Sequence, residues 1–490
     1  MRVFAMLLIA TLAVSSFSAM LAQDDLCPVG LPERPALSRH IEQADILNGS
    51  LSFDEALDHG EELFTVLFNV CDGQGRPATT GGVTAREPDE MAFSRVSAPD
   101  SNSCSSCHNQ PRVGGGAEFV GNVFLLAQHA DPVLETTSMM SSNHRNPLGM
   151  FGAGPIEMLA REMTADLQSL RETALAKARQ QGSSVTVTLM TKGVNFGELT
   201  MAPEGTQDSS GIEGVDHDLI IKPFHQSGTK ISLRQFSANA MNQHHGMQAE
   251  ERFDLNPDIL DPDFDQDGVT RELTIGDITA VTLFQAALAT PGRVLPDDPE
   301  RRADAVRGEE IFDRIGCASC HVPELTLESR FFSDPNPFNP ANTMTDMSQT
   351  VSFDMTLDGP QPRLERSGEG AIVRAFTDLK RHSLCDPVDQ PDAIRFFCNE
   401  SLRDSRPDVA GRHGSEFFLT RKLWDVGSSA PYGHRGDLTT VSEAILMHGG
   451  EGRASRDAFT ELTFADQRAV VEFLLSLQVL PEADSQRQGA

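Results

Sequence analysis

The chain of 490 residues holds one tryptophan and one tyrosine against 28 phenylalanines. Both rare residues, Trp424 and Tyr432, fall in a single block near the C-terminus. Basic residues are also few: 40 Lys and Arg stand against 71 Asp and Glu, a formal net charge of −31. Such a surface repels phosphate backbones, which argues against nucleic acid as a partner and for a soluble, non-membrane protein. Long hydrophobic runs are missing. The run from Met6 to Val14 is too short to span a bilayer, and nothing later approaches a spanning length. With Arg2 before it and Ser15, Ser16, Ser18 and Ala19 after it, that run reads as a secretory signal over residues 1–22. Cleavage is expected between Ser18 and Ala22, which sends the mature chain to the periplasm.

Export bears on the cysteines. Eight are present, and four of them form two C-x-x-C-H sites. The other four, Cys27, Cys71, Cys385 and Cys398, suggest two disulfides in an oxidising compartment, most simply Cys27–Cys71 and Cys385–Cys398. Two free thiols are the other reading.

The length allows two or three domains. A weak duplication is visible, because Gly60-Glu-Glu-Leu-Phe64 resembles Gly308-Glu-Glu-Ile-Phe312 and each copy precedes a C-x-x-C-H site. In the first copy a Gly-, Pro- and Thr-rich stretch over residues 73–100 intervenes. The expected fold class is mainly α, with two cytochrome c-like haem domains and a small β insertion between them. Residues 23–230 form the first unit, 231–300 a helical connection, 301–480 the second unit, and 481–490 a flexible tail. Helices are expected over 163–180, 226–254 and 275–289, and a closing helix is capped by Thr463. Strands are expected at 185–189 and 197–201 around a turn at Lys192-Gly193, and at 218–224.

Cys104-Ser-Ser-Cys107-His108 and Cys317-Ala-Ser-Cys320-His321 each offer two thiols to the vinyl groups of a haem and an adjacent imidazole to its iron. Two such motifs in one exported chain point to two covalently bound haem c groups, with His108 and His321 as iron ligands.

Several stretches resemble the di-haem oxidoreductase (putative peroxidase) branch of the bacterial dihaem cytochrome c peroxidase superfamily. They are residues 104–116, Phe151-Gly-Ala-Gly-Pro-Ile-Glu157, Gly316-Cys-Ala-Ser-Cys-His-Val-Pro323, and Leu423-Trp-Asp-Val-Gly-Ser-Ser-Ala-Pro-Tyr-Gly-His-Arg-Gly436 with residues 440–450. The resemblance covers about residues 60–477 and is most specific in the last block. It implies an enzyme, a haem-dependent oxidoreductase that reduces hydrogen peroxide or a similar small oxidant at the first haem and exchanges electrons with a redox partner protein through the second.

The resemblance makes Glu157 the catalytic acid/base, since O–O cleavage needs a base for one oxygen and an acid for the other. Its alternative reading is a carboxylate favoured by a helix N-terminus. His448 falls where the peroxidases place a methionine, and it is expected as the sixth ligand of the second haem iron, with Met447 as competitor. Trp424, Tyr432, His434 and Arg435 are expected around that haem, Arg435 suiting a propionate. The pair His244-His245, and singly His129, His144, His225 and His382, are further histidines within conceivable reach of a haem. Two rival functions stand beside the peroxidase: a dihaem electron-transfer cytochrome without enzymatic activity, and an enzyme that oxidises a partner protein by long-range hole transfer.

One motif lies outside the haem blocks. Asp263, Asp265 and Asp267 alternate before Gly268, as in the first half of a calcium-binding loop. The twelfth position is Thr274 rather than Glu, so Glu272 or Asp277 would have to stand in. An acidic turn without an ion is the other reading.

Overall fold

The computed structural model describes residues 27–75, 101–118, 121–122, 144–257, 259–265, 267–398 and 417–481. The signal segment, residues 76–100 of the insert, His129, the side chain of His144 and residues 482–490 of the tail lie outside the described residues. Among the described residues the α-helices in chain order are α1 Gln43–Leu47, α2 Phe53–Thr65, α3 Ala153–Gln181, α4 Leu233–Ala240, α5 Ile275–Ala287, α6 Pro299–Arg314, α7 Val441–Leu446, α8 Arg453–Thr460 and α9 Phe464–Ser476. Their starts are written locally. Ser52 with Glu55, Thr274 with Asp277 and Thr440 with Glu443 form reciprocal capping boxes at α2, α5 and α7. Thr463 caps α9 through the Asp466 amide, as its sequence predicts.

The duplicated glycines are crossing points. A Cβ at Gly60 would lie 2.2 Å from the Ala280 carbonyl oxygen, and one at Gly308 would lie 1.9 Å from that of Ala469. Glycine therefore lets α2 pack against α5, and α6 against α9, backbone on backbone. The partners repeat as well: Ala280-Val-Thr-Leu-Phe284 in α5 matches Ala469-Val-Val-Glu-Phe473 in α9. Phe64 meets Phe284 and Phe312 meets Phe473, each at 5.4 Å between ring centroids. Each crossing lies within its own apolar core. Helix α5, in the segment read as a connection, thus packs into the first core.

Strands β1 Val185–Thr191 and β2 Val194–Met201 pair around Lys192 and Gly193, and β3 Gln207–Asp208 adds an edge. Strands also occur beyond the expected insertion, at Leu325–Leu327, Phe331–Asp334, Val351–Asp354, Gly370–Val373, Arg381–Ser383 and Phe417–Leu419. The small sheets are therefore spread through the second half as well.

Three expectations for local structure change. Residues 218–224 form no strand: Leu219 has φ +58°, and the Ile221 amide donates to Thr164 Oγ1 instead of to a ladder. Residues 226–254 are helical only over α4 and one π-turn, Met241–His245, which Gly246 ends at φ +68°. The helix expected over 163–180 begins earlier, at Ala153, and the added turns over residues 153–160 are buried.

Both expected disulfides are present, Cys27–Cys71 with Cα atoms 4.8 Å apart and Cys385–Cys398 at 5.1 Å. Cys104, Cys107, Cys317 and Cys320 are not disulfide-bonded.

Candidate redox site

Both C-x-x-C-H segments open onto one cavity of about 870 Å³. Its wall includes Cys104, Cys107 and His108 from the first motif and Cys317, Cys320 and His321 from the second. Each motif is a single 3-10 turn set beside its helix crossing, Cys104–Ser106 near α2 and Cys317–Ser319 after α6. The histidines are seated alike. The ring of His108 lies 6.3 Å from that of Phe64, and the ring of His321 lies 6.2 Å from that of Phe312.

Second partners fix the tautomers. Nδ1 of His108 donates to the Gly115 carbonyl at 3.2 Å, and Nδ1 of His321 donates to the Phe376 carbonyl at 3.1 Å. A carbonyl only accepts, so Nδ1 carries the proton and Nε2 presents its lone pair, the state an axial imidazole needs. Burial pushes both rings down to about 4, which keeps them neutral. Burial also pushes the thiols of Cys104 and Cys317 up to about 12. This donor set suits a haem beside each motif.

His448 lies in the same wall, and its Nδ1 donates to the Ala444 carbonyl at 2.8 Å, again leaving Nε2 as the basic nitrogen. Met447 is not in the lining; it packs behind it, against the cluster of Phe397, Phe418 and Leu438. The His448 turn is held by the loop that the Cys385–Cys398 disulfide closes. Asp386 in that loop accepts from the Gly450 amide at 2.7 Å and from Arg453 at 2.5 Å.

Tyr432 and His434 line the cavity, and the Tyr432 hydroxyl donates to the Val426 carbonyl at 3.0 Å. Arg435 is not in the lining: it donates to Asp437 at 3.0 Å and covers the Phe396 ring. Trp424 is also behind the wall, 2% exposed, with its indole against Gly152 where α3 begins. Its neighbour Lys422 does line the cavity and donates to Asp425 at 2.8 Å and to the Phe151 carbonyl at 3.2 Å. The terminal block is thereby tied to the first core.

Glu157 lies one layer back, on the turn of α3 whose Ala153 and Ile156 form wall. Its carboxylate accepts from the Leu233 amide at 2.7 Å and from Asn336 Nδ2 at 3.1 Å. Burial outweighs these bonds and pushes its carboxyl up to about 8. Next to it Arg234, fully buried, joins Glu251 at 2.8 Å and Asp334 at 2.7 Å. Glu157 is thus a buried carboxyl that anchors the start of α4.

Four of the further histidines named from the sequence, His225, His244, His245 and His382, gather at this wall. His244 and His245 line the cavity from the π-turn, with His245 Nε2 3.3 Å from Cys104 Sγ and its Nδ1 donating to the Ser101 carbonyl at 2.8 Å. His382 sits between Asp378 at 2.8 Å and Glu451 at 2.7 Å, and these carboxylates help raise it to about 11 against the opposing effect of burial. His225 lines the wall too. Asn146 was not singled out by any motif, yet it donates to the Pro431 carbonyl at 2.7 Å and holds the terminal block to the first half.

Residues 389–477 match the family described as "Di-haem oxidoreductase, putative peroxidase", the same family that the sequence motifs resemble. No curated protein matches the chain. Among solved structures, the hydrazine synthase of Kuenenia stuttgartiensis aligns over 97% of this chain and 100% of its own, at 12% identity and a TM-score of 0.36. A MauG-like protein associated with microbial copper homeostasis aligns over 57% of this chain and 79% of its own, at 14% identity and a TM-score of 0.28. Superpositions of that quality do not establish a shared fold.

Proposed function

We propose that the protein is an exported dihaem c-type oxidoreductase of peroxidase type. The observation that carries this reading is the single cavity onto which both C-x-x-C-H motifs open, with His448 in its wall. Haem, when bound, supplies one-electron iron chemistry and a place for peroxide. The chain's residues divide the rest of the work. The four motif cysteines would hold the haems by thioether links, and His108 and His321 would each offer Nε2 to an iron. His448 completes the second site. Units over residues 23–230, completed by α5 of the 231–300 segment, and over 301–480 would carry one haem each, and the signal at 1–22 directs the chain to the periplasm.

The substrate of this reading is hydrogen peroxide or a similar small oxidant at the first site. A redox partner protein exchanges electrons through the second. Glu157 handles the proton: burial keeps its carboxyl protonated near neutral pH, one side-chain layer behind the wall. Trp424, packed in the first core, and Tyr432, in the cavity wall, are the readily oxidised pair of the terminal block.

A second reading, a dihaem electron carrier, draws on His244 and His245, which stand in the wall beside the first motif. Electron paramagnetic resonance of the ferric protein, before and after stoichiometric peroxide, separates the two. A high-spin signal consumed by peroxide is expected for the peroxidase. Two low-spin haems indifferent to peroxide, in the ferric and half-reduced states, would leave an electron carrier.

A further inference from the structure

The acidic loop at residues 263–268 lies apart from the cavity wall and belongs to none of the chemistry above. One carboxylate oxygen each from Asp263, Asp265 and Asp267 lies within 4.8 Å of the others. That spacing has a meaning. Oxygens bound to one calcium ion sit at 2.3–2.6 Å from it, so any two of them are at most roughly 5 Å apart. Three carboxylates already gathered within that span repel one another unless a cation or protons intervene.

Burial adds a second, independent observation. Asp267 is 2% exposed; its Oδ1 accepts from the Val269 amide at 2.8 Å, while its Oδ2 is buried and has no hydrogen-bond partner. A carboxylate oxygen taken out of water with nothing to replace the water is costly. Asp265, 3% exposed, turns its Oδ1 to Gln248 Nε2 at 2.7 Å. The same Gln248 amide donates to Glu272 Oε1 at 2.6 Å, and the Gln248 backbone amide donates to Glu272 Oε2 at 2.7 Å. Glu272 is thus fixed beside the cluster.

The two stand-ins left open by the sequence are now distinguished. Asp277 is engaged by His40 at 2.7 Å and His59 at 2.8 Å at the cap of α5, so it is spent elsewhere. Thr274, at the twelfth loop position, donates to the Ile41 carbonyl. Arg271 turns away to Glu42 and Glu250.

We propose that Asp263, Asp265 and Asp267 form a binding site for a hard divalent cation, calcium, with Glu272 held by Gln248 as the acidic backing of the site. Oxygen donors without nitrogen or sulfur select a hard ion, and an irregular carboxylate set favours calcium over the strictly octahedral magnesium. Gln248 closely follows the π-turn that carries His244 and His245, so the ion also steadies that part of the cavity wall. The inference stands whatever the cavity holds.

The test uses the full mature chain stripped with chelator, then titrated with calcium chloride alone in a calorimeter and followed by thermal unfolding. One calcium per chain and a raised unfolding temperature are expected, with magnesium chloride binding more weakly. Asp267→Asn should lower calcium affinity about tenfold or more, because affinity follows the ligand charge count. Asp263→Asn, at a half-buried position, should do the same. Asp297→Asn, on an exposed turn, should leave it unchanged. No heat and no thermal shift at millimolar calcium would overturn the proposal, as would equal binding by wild type and Asp263→Asn. Equal affinities for magnesium and calcium would overturn the choice of ion.

Discussion

His59 donates from Nε2 to Asp277 Oδ1 at 2.8 Å, and both side chains are almost wholly buried. That bond links the middle of α2 to the first turn of α5, where Asp277 also closes the capping box with Thr274. His40 Nδ1 reaches the other carboxylate oxygen at 2.7 Å and brings in the N-terminal segment. Against the opposing effect of burial, the two histidines hold the Asp277 carboxyl down at about 2. Removing one partner of a buried pair costs about 3–5 kcal/mol, so Asp277→Ala should lose stability of that order in denaturant unfolding at neutral pH. A folded-state pKa below the unfolded one gives stability that is present above about pH 4 and lost as pH falls toward 2. Wild type and variant should therefore converge in acid.

The helix crossings give a paired prediction. Gly60→Ala and Gly308→Ala each force a methyl group onto a backbone carbonyl, and overpacking of this kind costs roughly 1–3 kcal/mol. Chemical denaturation of each variant measures it. A loss at one glycine and none at the other would contradict the equivalence of the two crossings.

Glu157 gives a pH signature with the opposite sign. Its carboxyl is raised to about 8 from 4.5, so its contribution to stability is complete below the unfolded value and is lost as pH rises through about 8. Glu157→Gln has no such dependence. Relative to it, wild type should weaken between pH 5 and 8 by roughly 1.4 kcal/mol per pH unit. In the peroxidase reading the same variant keeps both haems and slows the reaction with peroxide by about a hundredfold or more.

His448 and its supporting loop give a spectroscopic prediction. His448→Ala should convert one haem from low-spin to high-spin, while Met447→Leu leaves both spectra intact. Opening the loop with Cys385→Ser and Cys398→Ser together should broaden the signal of that haem, since Asp386 holds the Gly450 amide. An unchanged spectrum in His448→Ala would remove this histidine from the second site.

Much of the fold was legible where local chemistry sets it. The Thr463 cap, the turn at Lys192-Gly193 and helix α5 follow from short-range rules, and the two disulfides from pairing the four cysteines that the C-x-x-C-H sites leave over. Residues 218–224 failed because their amides take side-chain acceptors, Asp218 for Ile220 and Thr164 for Ile221. Periodicity carries no trace of such partners. The C-x-x-C-H motifs announced the cavity, but its back wall did not announce itself. Arg234 answers to Glu251, Thr279 and Asp334, and Asn146 answers to Pro431, across separations that leave no local pattern. Arg435 and Trp424 were placed beside the haem by their neighbours in sequence, yet they point behind the wall toward Asp437 and Gly152.

The cavity wall runs from Phe64 to Leu474, and so it records the order in which the chain is made. Residues of the first motif exist long before the strand of wall that faces them. His448 and the α9 side of the lining arrive only with the last stretch of synthesis, and until then the first half has an open flank. Domains made early usually fold early; here the early half must wait for the late one to be enclosed. A chain stopped before α7 would carry both C-x-x-C-H motifs and still lack the finished chamber, which makes the C-terminal block a closing step of assembly.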